Sequence, residues 1–332
     1  GRGGMVGGGR GSWIVKVPIG AVGLALLVVW VGAMQVMLDL GKEHDWFHSS
    51  MVVTLAVVAV VGFIAFLIWE LTEKHPVVDL TLYQRRNFWA GSLALSIAYG
   101  VFFGNVVLLP LWLQQYMGYT ATQAGMVLAP VGLMALVLSP VVGKSIGKVD
   151  PRYFATFAFL VFALVLWMRS HFNTQADIAT IMIPTIIQGV AMAFFFIPLV
   201  TITLSGLPPE RIPAASGLSN FTRITAGAVG TSVATTLWES RAAMHHAHLV
   251  ESITLGNPIA SGALSGLASS GINAEQALAQ VNRMVDQQAF MLAANDIFYM
   301  SAALFLLLIP LIWMTQPPKA SMGNADAAAG AH

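Results

Sequence analysis

Apolar segments of about twenty residues set the strongest limit on how this chain can fold. Eight segments are long enough to cross the hydrocarbon core of a bilayer as helices, which takes roughly 17–25 residues. They lie at about residues 19–38, 51–70, 88–112, 122–143, 153–170, 178–204, 214–238 and 288–314. Only 9% of the 332 residues are charged, against about 25% in soluble domains. The sequence therefore predicts an all-α membrane protein with about eight transmembrane helices.

Composition and short motifs argue against several classes of function. The net charge of +1 gives no basic surface for nucleic acid, and the chain contains 0 cysteines for disulfides or thiolate metal sites. The sequence also has no glycine-rich phosphate loop, HExxH pair or nucleophile elbow. We therefore expect a protein that is not an enzyme, binds no cofactor or metal, and does not hydrolyse ATP.

The distribution of lysine and arginine predicts the orientation in the membrane. An even number of spans places both termini on the same side. Loops on that side carry eleven of the 16 basic residues, opposite loops carry four, and Arg223 lies within a span. Because basic loops stay in the cytoplasm, both termini are expected there, and the loop 240–287 is expected outside.

The external loop contains a predicted amphipathic helix. Asn273 is suited to cap it, Gln276 follows three residues later, and apolar residues recur on one face over residues 273–288. We expect this helix to pack on the external mouth or to lie at the membrane interface. A surface that docks a partner is the alternative.

Prolines and glycines within the spans predict broken helices and close helix contacts. The prolines are Pro110, Pro130, Pro140, Pro184, Pro198 and Pro310. Membrane proteins tolerate such breaks where neighbours or a cavity satisfy the freed carbonyl, and transporters use them around substrate paths. The patterns Gly100-x-x-x-Gly104 and Gly143-x-x-x-Gly147 permit close approach of two helices.

Two longer segments resemble a known family. YMGYTATQAGMVLAP (116–130) and SGLPPERIPAASGLSNFTRITAGAVGTS (205–232) are similar to segments of the EmrB/QacA-type multidrug exporters, the 14-helix drug:proton antiporter branch of the major facilitator superfamily. Further similar stretches extend the resemblance over nearly all of residues 21–318. The segment 143–152 matches the superfamily loop pattern only in part, because Gly147 replaces the acidic residue.

The resemblance implies both an architecture and a function. Residues 19–70 would be two linker transmembrane helices, 71–87 a cytoplasmic linker, 88–315 the six-helix C-terminal half, and 316–332 a cytoplasmic tail. The implied activity is export of hydrophobic or amphipathic toxic compounds from the bacterial inner membrane, driven by the proton gradient. Implied partners are a periplasmic adaptor and an outer-membrane channel.

The N-terminal region departs from the family pattern. Residues 11–20 resemble the junction before the family's sixth helix, and 21–27 resemble the start of its seventh, yet here they join directly at Gly20–Ala21. We expect residues 1–18 to be a remnant and the chain to be the C-terminal portion of an exporter, with helices missing before it. A membrane fragment that does not transport, or a transporter of another substrate class on the same fold, are the alternatives.

Arg223 and Asp296 are ionisable residues within predicted spans, which makes them functional candidates. Counting about 1.5 Å per residue places the two at nearly the same depth on consecutive spans. We therefore predict that they face the interior and interact, either as a structural ion pair or as part of coupling or substrate binding.

Polar and aromatic residues at mid-depth are candidates to line a cavity for amphipathic compounds, since such sites are mostly apolar with a few polar groups. The candidates are Tyr99, Asn105, Gln114, Gln188, Phe195, Asn220 and Asn295. The alternative for each polar one is a hydrogen bond between helices. His245, His246 and His248 form an HHxH cluster, which we expect to be solvated rather than metal-binding.

Overall fold

The computed structural model describes residues 10–41, 46–72, 79–251 and 258–317, and all regular structure within them is helical. Short 3-10 helices lie at Trp46–His48 and Leu80–Gln84. The α-helices are α1 (Arg10–Gly41), α2 (Ser50–Thr72), α3 (Arg86–Tyr116), α4 (Ala121–Ser145), α5 (Pro151–Arg169), α6 (Ile178–Ala193), α7 (Phe196–Leu204), α8 (Ile212–Glu251), α9 (Pro258–Ser269) and α10 (Ala274–Trp313). The predicted all-α class is confirmed.

Seven helical segments of the described chain are long and apolar enough to span a membrane, rather than the expected eight. One of them is formed by α6 and α7 together, and its break falls at Phe194 and Phe195. The expected span 214–238 lies in α8, which is long enough at 40 residues but is not among the seven. Its many Ser, Thr and Gly residues and Arg223 dilute the apolar character that a lipid-facing helix needs.

The described chain separates into two compact units. The first contains residues up to Arg85 together with 207–221, and its main packing joins α1 to α2. Trp30 lies edge-on to Phe63 with the ring centroids 4.9 Å apart, and a Cβ on Gly62 would lie only 2.9 Å from the Trp30 Cβ. Gly62 therefore allows α2 to approach α1 closely.

A polar cluster joins the two chain segments that make up the first unit. Asp79 accepts hydrogen bonds from Thr81 and, at 2.9 Å, from Nη2 of Arg211. The Thr81 side chain, followed by Arg211, holds the pKa of Asp79 below its usual value. This ion pair is about one-third exposed, so we expect it to orient the segments more than it stabilises them.

The second unit contains residues 86–206 and the chain from Thr222 onward. Its core includes an aromatic cluster in which Phe162 stacks on Phe305 at 4.9 Å and meets Phe195 edge-on at 5.6 Å. Glycines bring α3 and α8 together, because a Cβ on Gly230 would lie 2.1 Å from the carbonyl oxygen of Gly100. The expected close contact at Gly100-x-x-x-Gly104 is confirmed, whereas Gly143 faces open space.

The predicted amphipathic helix forms but is not separate. Asn273 and Gln276 make the expected capping box, in which each side chain accepts a hydrogen bond from the other residue's backbone N–H. The helix that begins there is α10, and it continues through the last predicted span to Trp313. Likewise, α8 extends to Glu251, well into the segment expected to be a loop.

Several predicted boundaries lie wholly or partly outside the described residues. Those residues are 1–9 of the N-terminal remnant, 73–78 of the linker 71–87, 252–257 of the loop 240–287, and 318–332 of the tail. The backbone is helical from Arg10 through Gly41, so Gly20–Ala21 lies within α1.

Candidate functional site

The guanidinium of Arg223 lies against two aromatic rings of the second unit. Its Cζ is 4.9 Å from the centroid of Tyr99 on α3 and 4.6 Å from that of Phe196 at the start of α7. Gly227 follows one turn later on α8, and a Cβ there would lie 3.1 Å from the Tyr99 ring. The glycine leaves the space that the ring fills. We call Tyr99, Phe196 and Arg223 the arginine cluster.

Local sequence explains how the arginine cluster forms. Pro198 has no N–H to donate to the carbonyl of Phe194, and the helix breaks at Phe194 and Phe195 before restarting as α7. Phe196 is therefore the first residue of a new helix. Cation–π contacts contribute about 0.5–2 kcal/mol each, with the larger values in desolvated sites such as a membrane interior.

Asp296 pairs with α8 residues other than Arg223. Its Oδ2 accepts hydrogen bonds from Arg241 at 3.1 Å from Nε and 2.9 Å from Nη2, and His245 Nε2 lies 2.5 Å away. Arg223 precedes Arg241 by 18 residues on the same helix, about 27 Å along its axis. The predicted Arg223–Asp296 pair is therefore wrong. The depth estimate assumed helices that ended at 238 and began at 288.

A polar cavity of about 380 Å³ adjoins Asp296. It is lined by Trp167, Ser170, His171, Arg241, Asn295, Asp296, Tyr299 and Met300. The candidate Asn295 donates from its amide to the carbonyl of Phe172 at 2.9 Å, so it ties α10 to the loop after α5. The Nδ1 of His171 lies 2.8 Å from the carbonyl oxygen of Trp167, which accepts a hydrogen bond when Nδ1 carries the proton.

The candidate Asn105 lines a second, apolar cavity of about 180 Å³ between α3, α8 and α10. Its amide nitrogen donates to the Val101 carbonyl at 2.7 Å and to the Ser301 hydroxyl at 3.0 Å. The bond to Ser301 joins α3 to α10, which is the interhelical role considered as the alternative. The cavity walls are otherwise glycine, alanine and aliphatic side chains.

The candidate Gln188 belongs to a buried polar group around Arg169. Arg169 is the last residue of α5 and is only 1% exposed. Its Nη2 donates to Gln188 Oε1 at 2.6 Å and approaches the Thr185 hydroxyl at 3.4 Å. The sequence did not predict a buried cation here.

The remaining candidates take different places. Phe195 is 1% exposed in the aromatic core, and Gln114 is exposed on α3. Asn220 is exposed and belongs to the first unit. The candidates are therefore distributed among the arginine cluster, the two cavities, the core and the surface, and they do not line one common cavity.

Two of the three clustered histidines, which were expected to be solvated, are partly exposed and also contact carboxylates. His245 contacts Asp296, and His246 Nε2 lies 3.3 Å from Asp286 and 3.1 Å from Asn282. Within the described residues, no group of three or more metal-ligating side chains has a geometry that holds a metal ion.

Sequence reasoning missed Phe196, Arg169 and Arg241, and it did not predict that His245 contacts Asp296. A signal was present for Arg241 and His245, since they are four residues apart and share one face if the helix extends past 238. Arg169 lies at the end of a predicted span, and nothing in the sequence there indicates that its side chain is buried.

Comparison with known proteins identifies the family of this chain. The family model described as Major Facilitator Superfamily matches residues 2–231. The chain is 47% identical over 325 residues to the Multidrug export protein EmrB of Escherichia coli (strain K12), covering 98% of this chain and 63% of that protein.

Other relatives show similar coverage. The Multidrug export protein EmrB of Haemophilus influenzae is 45% identical over 94% of this chain and 61% of its own length. The Fatty acid resistance protein FarB of Neisseria gonorrhoeae is 43% identical over 95% of this chain and 62% of its own length. The chain thus spans less than two thirds of the length of these relatives. Because the family model matches more than half of its residues, this multi-pass membrane protein belongs to the Major Facilitator Superfamily.

Proposed function

We propose that the chain is the C-terminal portion of a transporter that exports hydrophobic or amphipathic toxic compounds, and that the arginine cluster binds substrates with an acidic group. The relatives support this, since they are named multidrug export and fatty acid resistance proteins. The observation that carries the proposal is the cationic Arg223 against the rings of Tyr99 and Phe196.

The chemistry of the arginine cluster suits an acidic amphipathic molecule. A guanidinium binds a carboxylate or another planar anion through paired hydrogen bonds, and aromatic rings provide apolar contact for the rest of the molecule. An intramembrane cation is costly, at roughly 2.5–3.5 kcal/mol even on the lenient insertion scale, so its presence indicates a function.

The energy source and cellular setting are part of the same proposal. Export would draw on the proton gradient across the bacterial inner membrane, with both termini in the cytoplasm as the eleven-to-four distribution of basic residues predicts. Alternating access in this fold requires two halves moving around a midplane site, so the described helices would supply one wall of it. A periplasmic adaptor and an outer-membrane channel are the proposed partners.

Substitution of Arg223 tests the substrate role. The protein at its natural length is expressed in a strain that lacks its own multidrug exporters, and resistance is measured for a long-chain fatty acid and for a cationic dye. We expect Arg223→Gln to reduce fatty acid resistance about tenfold, because a charge-assisted bond worth roughly 1.4 kcal/mol or more is lost, and to reduce dye resistance much less. Arg223→Lys should retain part of the activity because it keeps the charge.

Arg283→Gln provides the matched control, since Arg283 is an exposed arginine on α10. It should leave resistance to both compounds unchanged at equal expression. Equal losses for the fatty acid and the cationic dye in Arg223→Gln would assign Arg223 a structural role. Unchanged fatty acid resistance would remove it from the substrate path.

A further inference from the structure

We propose that His245, Asp296 and Arg241 form a proton-binding site that strengthens the contact between α8 and α10 when His245 is protonated. This inference does not rest on the proposed substrate or direction of transport. It rests on the arrangement of two ionisable side chains, Arg241 and His245, around one carboxylate oxygen of Asp296 beside an open cavity.

The contacts at Asp296 are concentrated on a single atom. Oδ2 accepts two hydrogen bonds from Arg241 and lies 2.5 Å from His245 Nε2, which is closer than either nitrogen of Arg241 at 3.1 and 2.9 Å. Arg241 and His245 are one helical turn apart, so both reach Asp296 from the same face of α8. All three bonds therefore join α8 to α10.

The three residue types at this site differ in how their charge responds to pH. Histidine is the side chain whose ordinary titration lies between about pH 5 and 8, whereas arginine stays charged throughout. A neutral imidazole gives Asp296 a dipolar contact, and a protonated one gives it a second ion pair. Since the imidazole nitrogen is the nearest donor to Oδ2, adding the proton strengthens the interhelical contact most directly.

The surroundings allow proton exchange and contain few competing charges. The side chains of Arg241, His245 and Asp296 are 38%, 20% and 30% exposed, and the polar cavity of about 380 Å³ adjoins Asp296. The other titratable groups lining this cavity are His171 from the end of α5 and Tyr299 from α10. The next histidine on α8, His246, faces a separate carboxylate, Asp286.

His171 is therefore the second group that a proton entering the cavity can reach. Its Nδ1 is engaged by the Trp167 carbonyl and the Ser170 hydroxyl at 2.8 and 3.2 Å. Both contacts are within α5 and the turn that follows it, so its protonation adds no bond between α8 and α10. The proton that affects the α8–α10 contact is the one on His245.

Thermal unfolding at two pH values tests the site. The protein at its natural length is purified in detergent, and melting temperatures are measured at about pH 6 and about pH 8. We expect His245→Gln to melt about 2–4 °C below wild type at about pH 6 and within about 1 °C of it at about pH 8. The larger loss at about pH 6 follows because the ion pair between His245 and Asp296 exists only while the imidazole holds the proton.

Two further variants separate the proton from the shape of the side chain. His245→Lys is charged at both pH values, so its melting temperature should match wild type at about pH 6 and exceed it at about pH 8. This variant also tests the proposal if His245→Gln does not accumulate. His246→Gln, the neighbouring histidine with its own carboxylate partner, is the matched control and should not alter the difference between wild type and His245→Gln.

The site is also tested through its carboxylate. In an Asp296→Asn background, His245→Gln should change the melting temperature by the same amount at both pH values, because the carboxylate charge that attracts the proton is gone. The proposal is overturned if His245→Gln lowers the melting temperature by the same amount at both pH values in the otherwise wild-type protein. It is also overturned if His246→Gln produces the same pH-dependent loss, or if His245→Lys lowers the melting temperature at both pH values.

Discussion

At the scale of single residues, the polar side chains of the second unit divide into those that join helices and those that present charge. Asn105 and Gln188 hold helices together through bonds to Ser301 and Arg169. In contrast, the guanidinium of Arg223 lies against two aromatic rings. The carboxylate of Asp296 contacts two side chains of α8. Substitution of Arg223 should therefore alter function more than packing, whereas Asp296 also joins α10 to α8.

Gln188 offers a direct test of the interhelical role. Replacing it with leucine removes the 2.6 Å acceptor of Arg169 and leaves a cation that is 1% exposed without its closest partner. Hydrogen bonds to charged groups contribute about 1.5–3 kcal/mol, so we expect Gln188→Leu to lower the melting temperature by several degrees, roughly 4 °C or more. Differential scanning calorimetry or fluorescence of the purified protein measures the shift.

The control uses the same substitution in a different setting. Gln114 is exposed on α3, so Gln114→Leu should change stability by no more than about 0.5 kcal/mol. The double variant Arg169→Met with Gln188→Leu should recover part of the loss, because no charge is left buried. A double variant less stable than Gln188→Leu would contradict the assigned pairing.

At the scale of elements, the helices were predictable because apolar length and caps are local properties. The all-α class and the Asn273–Gln276 cap followed from patterns within a few residues of sequence. The ends of α8 and α10 did not, because helices that leave the membrane carry polar residues and lose the hydropathy signal. That error misplaced Arg241 and His245 and so produced the wrong partner for Asp296.

The glycine contact between α3 and α8 is the element feature whose energetic effect is easiest to measure. A Cβ on Gly230 would lie 2.1 Å from the Gly100 carbonyl oxygen, which is backbone and cannot move aside without moving α3. We expect Gly230→Ala to destabilise the protein by about 1–3 kcal/mol despite the better helix propensity of alanine. Thermal unfolding of the purified variant would show this.

Gly132 supplies the matched control for Gly230. It lies within α4, and a Cβ there meets nothing within 4 Å. Gly132→Ala should therefore be neutral or stabilising by roughly 0.5–1 kcal/mol through lower chain entropy in the unfolded state. If Gly230→Ala proved as stable as Gly132→Ala, the close approach of α3 and α8 would not hold.

At the scale of the whole molecule, family membership and the apolar helices indicate a multi-pass membrane protein. The family model matches residues 2–231, and seven helical segments of the described chain are long and apolar enough to span a membrane. The helix α8, which contains the expected span 214–238, is less apolar than the seven segments and carries Arg223, Arg241 and His245. The helix least suited to face lipid is thus the one that holds the candidate groups.

The most direct test of the account is transport driven by an imposed proton gradient. The protein at its natural length is reconstituted into liposomes, and uptake of a long-chain fatty acid is followed after the interior is made acidic. We expect accumulation that stops when an ionophore collapses the gradient and that falls about tenfold with Arg223→Gln. Accumulation that persists without the gradient, or none at all from protein that is folded by its melting transition, would contradict proton-driven export.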